Sequence, residues 1–445
     1  MVFKMKKFLN PLVIAAIVTA IVSCGDNGDP TSPLSPHVSK NFIITFVDDD
    51  EITLLSEPKI VAEGSLIIEP EEPVKIFTIT EPGLYRGKPS AYTFDGWYNG
   101  DTKWDFDVHA VTTDITLKAN WIEPEAPPER ITAVNPNDIP ASVTQINSGS
   151  GEYTLLISAD AVIAGQTLNK AGVHLTIMGI GEERRIKLST TGTLFTVNSA
   201  TVSLTIGENI TLAGITGNNN SLVKVQNGNF TMLDCSMITG NVSGATGDGN
   251  GRGAAVYVAG ATSIFTMKGG AITGNGCSVT GTKTTGGVFV ENNGSFFMEG
   301  GSVEGNTAIS DVHIDSDAVY GLVLSGHARI GQLTLSAASA AANVPPPCIT
   351  IAAGWTGKVY NLNLRGDPTG VMNTAIGYWY PADVGTPRRT ILKSAADDYT
   401  LSAADVKKFP LGNFMTNNEN DRREISANYM IANSGDDIGK LVLKQ

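Results

Sequence analysis

The sequence predicts an all-β fold in which a small module is followed by a long stacked solenoid. One phrase occurs twice: residues 265–275 read FTMKGGAITGN, and residues 296–306 read FFMEGGSVEGN. A looser copy occupies residues 230–241, and its Ile-Thr-Gly-Asn ending occurs again at 215–218. Each copy combines a β-rich stretch, a glycine turn, a second short strand and Gly-Asn, so each is interpreted as one rung of the stack.

The asparagines that end these phrases are predicted to lie in register along the stack. Glycine-rich insertions at 244–253 and 278–287 lengthen individual rungs, and we expect them on surface turns because loops tolerate changes in length. A column of buried asparagines can satisfy its amide groups along the stack. The sequence therefore predicts a structural ladder, not a ligand site, with these members: Asn218, Asn241, Asn275 and Asn306.

This pattern resembles the right-handed parallel β-helix of the pectin-lyase-like architecture. More narrowly, it is similar to the glycine-rich repeats of secreted bacterial surface proteins. The resemblance is specific over 215–306 and weaker from about Tyr153 to about Leu364. It implies a right-handed parallel β-helix over 141–364, followed by terminal rungs and a cap over 365–445. A cap is physically required because the open end of a β-helix exposes strand edges and core.

The N-terminal residues have the features of a secretory signal. Three lysines precede a mostly apolar stretch over residues 8–21, which is too short to span a membrane. The following Ile-Val-Ser-Cys sequence resembles the bacterial lipobox, which implies removal of 1–23 and lipidation of Cys24. Residues 24–40 are rich in Pro, Gly, Ser and Asp and are predicted to form a flexible tether. We expect an exported protein, lipid-anchored through Cys24 at the outer membrane or cell surface.

A second recognisable pattern spans residues 41–121. It contains YTFDGWY at 92–98, WDF at 104–106 and VTTDITLKANW at 111–121. These elements resemble the internalin-type B repeat, also called the Listeria–Bacteroides repeat. The resemblance implies a small β-grasp-like unit of the kind that serves as a spacer and adhesive module in surface proteins. The proline-rich residues 122–140 are predicted to be a stiff linker to the solenoid.

Unusual residues in the 41–121 module have structural interpretations. A small domain buries little apolar area per residue, so Trp97, Trp104 and Trp121 are expected in its core and not as sugar-stacking platforms. Four consecutive carboxylates at 48–51 suggest a calcium site. They lack the alternate ligand spacing and the sharp glycine that a calcium loop needs, so we interpret them as a solvated acidic turn.

Composition excludes several classes of function. The net charge is −13, and residues 41–130 contain 7 basic and 18 acidic side chains, a balance of 7 − 18 = −11. No basic stripe exists, so nucleic acid is not an expected partner. Besides Cys24 the chain has Cys235, Cys277 and Cys348, whose odd number and wide spacing favour neither a disulfide framework nor a zinc site. Cys235 replaces a repeat glycine and is predicted to be a small core residue.

The sequence offers no convincing catalytic residues and implies no cofactor. Polysaccharide hydrolysis needs two carboxylates at a fixed separation, and lyase chemistry on uronates needs a base. Within 215–306 the candidates are Asp248 and Arg252, which share one glycine-rich insertion. A mobile glycine loop is poorly suited to hold a catalytic pair in position. We therefore expect a protein that is not an enzyme, with polysaccharide lyase as the remaining enzymatic interpretation.

Two further groups are weak candidates for binding. Strand alternation places one acidic cluster on the face away from the core, where it is interpreted as a solvated polar face and only weakly as a cation site. Its members are Asp311, His313, Asp315 and Asp317. The second group, Tyr378, Trp379 and Tyr380, is interpreted as part of the cap, with contact to a glycan or protein as the alternative.

Together these observations predict a lipid-anchored bacterial surface protein with a non-enzymatic role in adhesion or surface interaction. Its expected partners are the membrane, through Cys24, and a host or microbial surface protein or glycan. Two alternatives stay open. One is a carbohydrate-active β-helix, either a polysaccharide lyase or a hydrolase. The other is a purely structural surface stalk.

Overall fold

Strands are the predominant secondary structure among the residues that the structure describes. The computed structural model describes residues 40–75, 79, 81–87, 92–123, 128–244, 253–277, 284–315, 318, 321–336, 347–365, 390–395, 400–415, 423–424, 429–435 and 438–443. The predicted all-β class is confirmed. The chain divides into two compact units. Unit 1 comprises Met1–Ile79 and Pro89–Pro127, and unit 2 comprises Thr80–Lys88 and Pro128–Gln445.

The described residues contain many short strands and two helices. The helices are α1, Ile139–Asn147, and α2, Ala403–Lys407. In chain order the strands are β1 Asn41–Val47, β2 Leu54–Ala62, β3 Gly83–Arg86, β4 Thr93–Asn99, β5 Thr102–Lys103, β6 Ile115–Ile122, β7 Glu129–Ile131, β8 Gly151–Ile157, β9 Ala161–Ile163, β10 Gln166–Leu168, β11 Val173–Gly179, β12 Arg184–Leu188, β13 Phe195–Ile206, β14 Ile210–Ala213, β15 Val223–Met232, β16 Met237–Thr239, β17 Val242–Ser243, β18 Val256–Ala259, β19 Ser263–Met267, β20 Ala271–Ile272, β21 Gly276–Cys277, β22 Thr285–Glu291, β23 Ser295–Met298, β24 Ser302–Val303, β25 Ser310–Ile314, β26 Leu322–Leu324, β27 Arg329–Ser336, β28 Ile349–Ile351, β29 Lys358–Arg365, β30 Leu392–Ser394, β31 Leu411–Met415, β32 Arg423–Glu424, β33 Tyr429–Ile431 and β34 Leu441–Leu443.

Unit 1 contains one mixed sheet with the strand order β2-β1-β6-β4-β5. Its first and last long strands, β1 and β6, are parallel neighbours, and the other pairs are antiparallel. Alternation along β1 places Phe42, Ile44 and Phe46 on one buried face. Trp97 of β4 joins them, with its ring centroid 5.0 Å from that of Phe46. The aromatic residues thus supply the core of this small unit, as expected.

Unit 2 arranges its strands in three parallel stacks. The first stack pairs β8, β11, the end of β13, the end of β15, β19, β23, β26, β28 and β30 in that order. The second pairs β9, β12, β14, β16, β20, β24, the start of β27 and the start of β29. The third pairs β10, the start of β13, the start of β15, β18, β22, β25, the end of β27, the end of β29 and β31.

Identical residue types meet in register inside unit 2. Phe230, Phe265 and Phe296 pair along the first stack, with ring centroids 5.0 Å and 4.7 Å apart. Two residues further along the same strands, Met232 and Met267 are also fully buried and pair with each other. The repeated phrase in the sequence therefore corresponds to a repeated row of core side chains, which favours one register over any slip by a residue.

The turn after the first stack requires a left-handed backbone. Asn209, Cys235, Gly270 and Gly301 each lie three residues beyond paired positions of the first stack, and their φ angles are 59°, 57°, 79° and 74°. A Cβ atom at Gly270 would lie 2.4 Å from the carbonyl oxygen of Ser236. Cys235 is exposed, so its predicted place in the core is wrong. The repeat glycine that it replaces serves the turn conformation and not packing.

The N-terminal end of unit 2 carries elements that the repeats do not predict. Strand β3 pairs antiparallel with both β7 and β8, so it covers the edge of the first stack. Helix α1 begins after Asp138, whose carboxylate accepts a hydrogen bond from the Ala141 N–H, and it buries Ile139, Val143 and Ile146 in the core. Both β7 and the start of α1 fall within the segment 122–140, for which the sequence predicts a linker.

The C-terminal end of unit 2 is less regular. Helix α2 begins with a capping box between Ser402 and Asp405. It places Val406 and the following Phe409 in the core, and the Phe409 ring lies 5.1 Å from that of Trp355. Beyond α2 the pairs β31–β32 and β33–β34 are antiparallel. The regular parallel arrangement thus ends in a helical turn and antiparallel pairs.

Candidate functional site: the asparagine ladder and the polar row

The four repeat asparagines lie in line and bond to one another. Asn218 Nδ2 donates to Asn241 Oδ1 at 2.9 Å, and the Asn241 backbone N–H donates to Asn275 Oδ1 at 3.1 Å. Asn275 donates to Asn306 Oδ1 through both its backbone N–H and its Nδ2, each at 3.1 Å. The first three side chains are almost completely buried. Their remaining amide protons reach backbone carbonyls, for example from Asn275 Nδ2 to Ile238 O at 3.0 Å. We call this column the asparagine ladder.

Asp311 ends the asparagine ladder. Its Oδ1 accepts hydrogen bonds from the Asn306 backbone N–H at 3.0 Å and from Asn306 Nδ2 at 2.9 Å. Its Oδ2 accepts from the Gln332 backbone N–H at 2.8 Å. A Cβ atom at Gly331 would lie 2.3 Å from Asp311 Oδ2, so the absence of a side chain at Gly331 makes room for the carboxylate. Asp311 thus satisfies donors of the stack and does not point into a solvent-facing site.

A second set of buried polar side chains follows the third stack, on the face opposite the hydrophobic core. Alternation explains the face, because Val312 and Ile314 of β25 are in the core while His313 lies between them. The same alternation holds for β22, β27 and β29. We call this set the polar row, and its members are Glu291, His313, Asp315, Ser336, Asn363 and Arg365.

The polar row is held by hydrogen bonds and ring contacts. His313 Nε2 and Ser336 Oγ are 2.7 Å apart, and the His313 ring lies 4.8 Å from that of Phe289. The Tyr257 hydroxyl donates to Glu291 Oε1 at 2.5 Å. Every member is at most 5% exposed. The predicted solvated face is therefore wrong for Asp311, His313 and Asp315, because each of these residues is shielded from solvent.

The structure does not assemble a metal centre from the weak candidates. Asp311 turns to the asparagine ladder, whereas His313 and Asp315 lie in the polar row. Asp317 lies outside the described residues. Among the residues that the structure describes, no group of three or more His, Cys, Asp or Glu side chains is placed to hold a metal ion.

Several predicted residues lie outside the described part of the chain. They are Cys24, the insertion pair Asp248 and Arg252, and the aromatic group Tyr378, Trp379 and Tyr380. Predictions about lipidation, catalysis and aromatic contact at these positions stay predictions. The cysteines within the described residues are free, and Cys277 is buried.

The acidic turn of unit 1 is tied to neighbouring donors. Asp48 Oδ1 accepts from Trp121 Nε1 at 2.7 Å, and Asp49 pairs with Lys75 at 2.5 Å. Asp50 accepts from the backbone N–H groups of Ile52 and Thr53. Burial of Asp48 would raise its pKa, but hydrogen bonds from the Asp49 N–H and Trp121, together with the charge of Lys75, lower it overall. The turn is therefore a hydrogen-bonded connection and only partly the solvated turn that the sequence predicts.

Sequence reasoning missed most of the polar row. Glu291 and Arg365 attract no attention alone, since each ends a strand with ordinary alternation. The strand register is the signal that groups these residues, because it aligns polar side chains on neighbouring strands. His313 pairs with Thr334, Thr334 with Asn363, and Ser336 with Arg365. Alternation identifies the face of each side chain, but it does not indicate whether that face is covered. Chemically, the row combines two carboxylates, an imidazole, an amide, a guanidinium and a hydroxyl group, each on a residue that is at most 5% exposed.

Comparison with known proteins identifies one part of the chain. Residues 78–120 match the family model of the Listeria-Bacteroides repeat domain, a repeat family typical of surface proteins. The match covers the second half of the predicted 41–121 module, including the YTFDGWY and WDF sequences and all of VTTDITLKANW except its last residue, Trp121. No curated protein and no solved structure matches the chain. Within the described residues, no helix is both long and apolar enough to cross a membrane.

Proposed function

We propose that this protein is an exported lipoprotein of the outer membrane or cell surface with a non-enzymatic role in adhesion or surface interaction. The observation that carries the proposal is the match of residues 78–120 to a repeat family typical of surface proteins. The Ile-Val-Ser-Cys sequence ending at Cys24 supports export and lipid anchoring. In this arrangement residues 24–40 form a tether between the lipid and the folded units.

Unit 2 is proposed to be a right-handed parallel β-helix that displays an extended surface. Three parallel stacks support this reading, since each passage of the chain adds one strand to each stack. Such quasi-one-dimensional folds offer long, rigid surfaces built from neighbouring repeats. The cap over 365–445 is supported by α2 and the antiparallel pairs that follow it. Unit 1, with its parallel β1–β6 pair, supports the β-grasp-like reading.

The polar row is the observation that bears on the alternative of a carbohydrate-active enzyme. It gathers Glu291, His313, Asp315 and Arg365 on one face, and such clusters occur in active sites. A polysaccharide must reach its catalytic groups, however, and these side chains are at most 5% exposed. His313 Nε2 also faces Ser336 Oγ at 2.7 Å, and the Tyr257 hydroxyl donates to Glu291 Oε1. A structural role for the row accounts for these contacts better than catalysis does.

Lipid anchoring is tested with Cys24→Ser in the native organism or a suitable bacterial host. We expect loss of metabolic fatty-acid labelling and release of the protein from membranes, because the thiol is the acceptor of the lipid. Cys235→Ser is the matched control and should keep both properties, since Cys235 lies in an exposed turn. Protease treatment of intact cells then reports the membrane face. Unchanged labelling and membrane partition in Cys24→Ser would overturn the lipoprotein proposal.

The non-enzymatic role is tested by incubating the full chain with pectin, alginate and glycosaminoglycans, with and without calcium. We expect no unsaturated or reducing-end products, and we expect binding of the anchored protein to cells or isolated surface glycans. Product formation that disappears in Asp248→Asn or Arg252→Gln would establish the enzyme instead. Absence of both products and binding would favour a purely structural stalk.

A further inference from the structure

Tyr360 is an exposed aromatic side chain on the second stack of unit 2. It lies on β29, and 43% of its surface is accessible to solvent. Among the described residues of unit 2, the large apolar side chains that are clearly exposed are Tyr360 and Val162. An exposed aromatic ring beside charged side chains is a common feature of contact sites.

Two cations surround the Tyr360 ring. Lys358 Nζ lies 4.8 Å from the ring centroid, and Arg329 Cζ lies 5.7 Å from it. Arg329 Nη2 also donates to the Tyr360 hydroxyl at 2.8 Å. Glu304 neutralises Arg329, with Nε and Oε1 3.2 Å apart. Lys358 is exposed, and within the described residues no carboxylate lies within ion-pair distance of it. The cluster therefore has one unneutralised positive charge beside an aromatic ring.

The strand register fixes these groups with respect to one another. Ser302, Arg329 and Lys358 pair in sequence along the second stack, so the two cations occupy adjacent strands about 4.8 Å apart. Tyr360 follows Lys358 by two residues and so shares its face. The Val359 backbone N–H donates to the carbonyl of Lys408 at 3.2 Å, but the Lys408 ammonium pairs with Asp405 at 3.2 Å and adds no unpaired charge beside β29. In a chain of net charge −13, this basic area is unusual.

We propose that Lys358, Tyr360 and Arg329 form a binding site for a sulfate or phosphate ester group carried by a surface glycan. The planar fork of Arg329 is engaged by Glu304 and by the Tyr360 hydroxyl, so bidentate recognition of a carboxylate is not its available mode. The Lys358 ammonium group is a compact charge with N–H donors. Such a group suits the oxygens of a tetrahedral anion. The ring gives the sugar that carries the ester an apolar surface.

A glycan fits this area better than an extended membrane or nucleic acid. Binding of either of those polyanions depends on many simultaneous contacts with cations. The protein is acidic overall, and its basic area spans only neighbouring strands of one stack. A single ester group beside one sugar ring matches the size of the cluster. This inference names a ligand for the proposed role in adhesion or surface interaction, and it therefore rests on that proposed function.

The test uses the full chain carrying Cys24→Ser, with tyrosine rings labelled for NMR. Tyr360→Phe assigns the Tyr360 signal. Sodium sulfate and sodium phosphate are titrated at constant ionic strength, with sodium acetate as the carboxylate comparison. We expect saturable shifts of Tyr360 with sulfate and phosphate and much weaker shifts with acetate. Lys358→Gln should weaken sulfate binding about fivefold, because an exposed charge contributes modestly to such contacts. Lys187→Gln, an exposed lysine on β12 of the same stack, should leave it unchanged.

A second measurement separates the ligand from its carrier. Immobilised dextran sulfate should retain the Cys24→Ser chain, and neutral dextran should not. Vesicles containing phosphatidylglycerol should bind less than dextran sulfate at equal charge. Equal shifts with acetate, or equal binding by Lys358→Gln and the parent, would overturn the site. Stronger binding to vesicles would overturn the glycan assignment. If the protein adheres to cells but fails with sulfate and phosphate, the contact function stands and this site falls.

Discussion

The asparagine ladder and the polar row are both buried and polar, but they differ in composition. Every ladder position is an asparagine preceded by glycine, and each asparagine donates from its backbone or side chain to the side-chain oxygen of the next. The polar row mixes carboxylates, a histidine, an amide, a hydroxyl and a guanidinium, and apart from the carboxylates of Glu291 and Asp315 no type occurs twice among its members. A buried polar residue that recurs along the stack forms hydrogen bonds between neighbouring rungs. A buried polar residue that does not recur must be explained by the particular side chains that surround it.

The largest effect is expected at the junction where the ladder ends. Asp311→Ala leaves two N–H groups of Asn306 and the N–H of Gln332 without their acceptor. Because bonds to a charged acceptor are strong and these three are partly shielded from solvent, we expect a loss of about 3 kcal/mol in the free energy of unfolding. Chemical denaturation measures it. Asp311→Asn keeps an acceptor for Asn306 and should lose less, and equal stability of Asp311→Ala and the parent would contradict the network.

Within the ladder, Asn275→Leu removes one complete step. The substitution breaks the Nδ2 bonds to Asn306 and Ile238 and leaves the Asn241 N–H unsatisfied, while the Asn275 backbone N–H keeps its bond to Asn306. We expect destabilisation of about 2 kcal/mol, since each buried unpaired group costs roughly 1–3 kcal/mol. The matched control is Asn227→Leu, an exposed asparagine of β15, for which the change should stay within about 0.5 kcal/mol. Similar losses in both variants would show that position within the ladder does not matter.

A smaller effect is expected in the polar row. Ser336→Ala removes the hydroxyl that faces His313 Nε2 at 2.7 Å. One side-chain hydrogen bond contributes about 1 kcal/mol, so we expect a loss of that size. Ser302→Ala, on the second stack and only partly buried, should change stability by less than about 0.5 kcal/mol. A loss in Ser336→Ala as large as that of Asn275→Leu would remove the energetic distinction between the row and the ladder.

The same contrast explains what sequence reasoning could predict. The repeated phrases predicted the register in which Phe265 meets Phe296 and the line of asparagines, because repetition encodes which residues stack. Elements that occur once have no such signal. Strand β3 and helix α1 cover one end of unit 2, and neither follows from a period. The burial of His313 also escaped prediction, since alternation fixes a side of the strand but not what shields it.

The smallest effect concerns a polar cluster in unit 1 that is neither repeated nor deeply buried. Asp95 accepts hydrogen bonds from the Tyr98 hydroxyl at 2.6 Å, from Asn120 Nδ2 at 3.0 Å and from Lys103 Nζ at 3.3 Å. These bonds, led by that of Tyr98, lower the pKa of Asp95 to about 2. Because the folded-state pKa is depressed, the cluster stabilises the folded state above the ordinary pKa of 3.8 and loses this contribution as pH falls through about 2.

An NMR titration of the Asp95 carboxyl group measures this pKa directly. We expect a midpoint near 2 in the parent protein. Tyr98→Phe should raise the midpoint toward the ordinary value, because it removes the first of the hydrogen bonds that favour the ionised carboxylate. Tyr85→Phe, in unit 2, should leave it unchanged, since the Tyr85 hydroxyl bonds to the Glu81 carbonyl. A parent midpoint near 3.8 would show that these surface hydrogen bonds do not persist in solution, in contrast to those of the asparagine ladder.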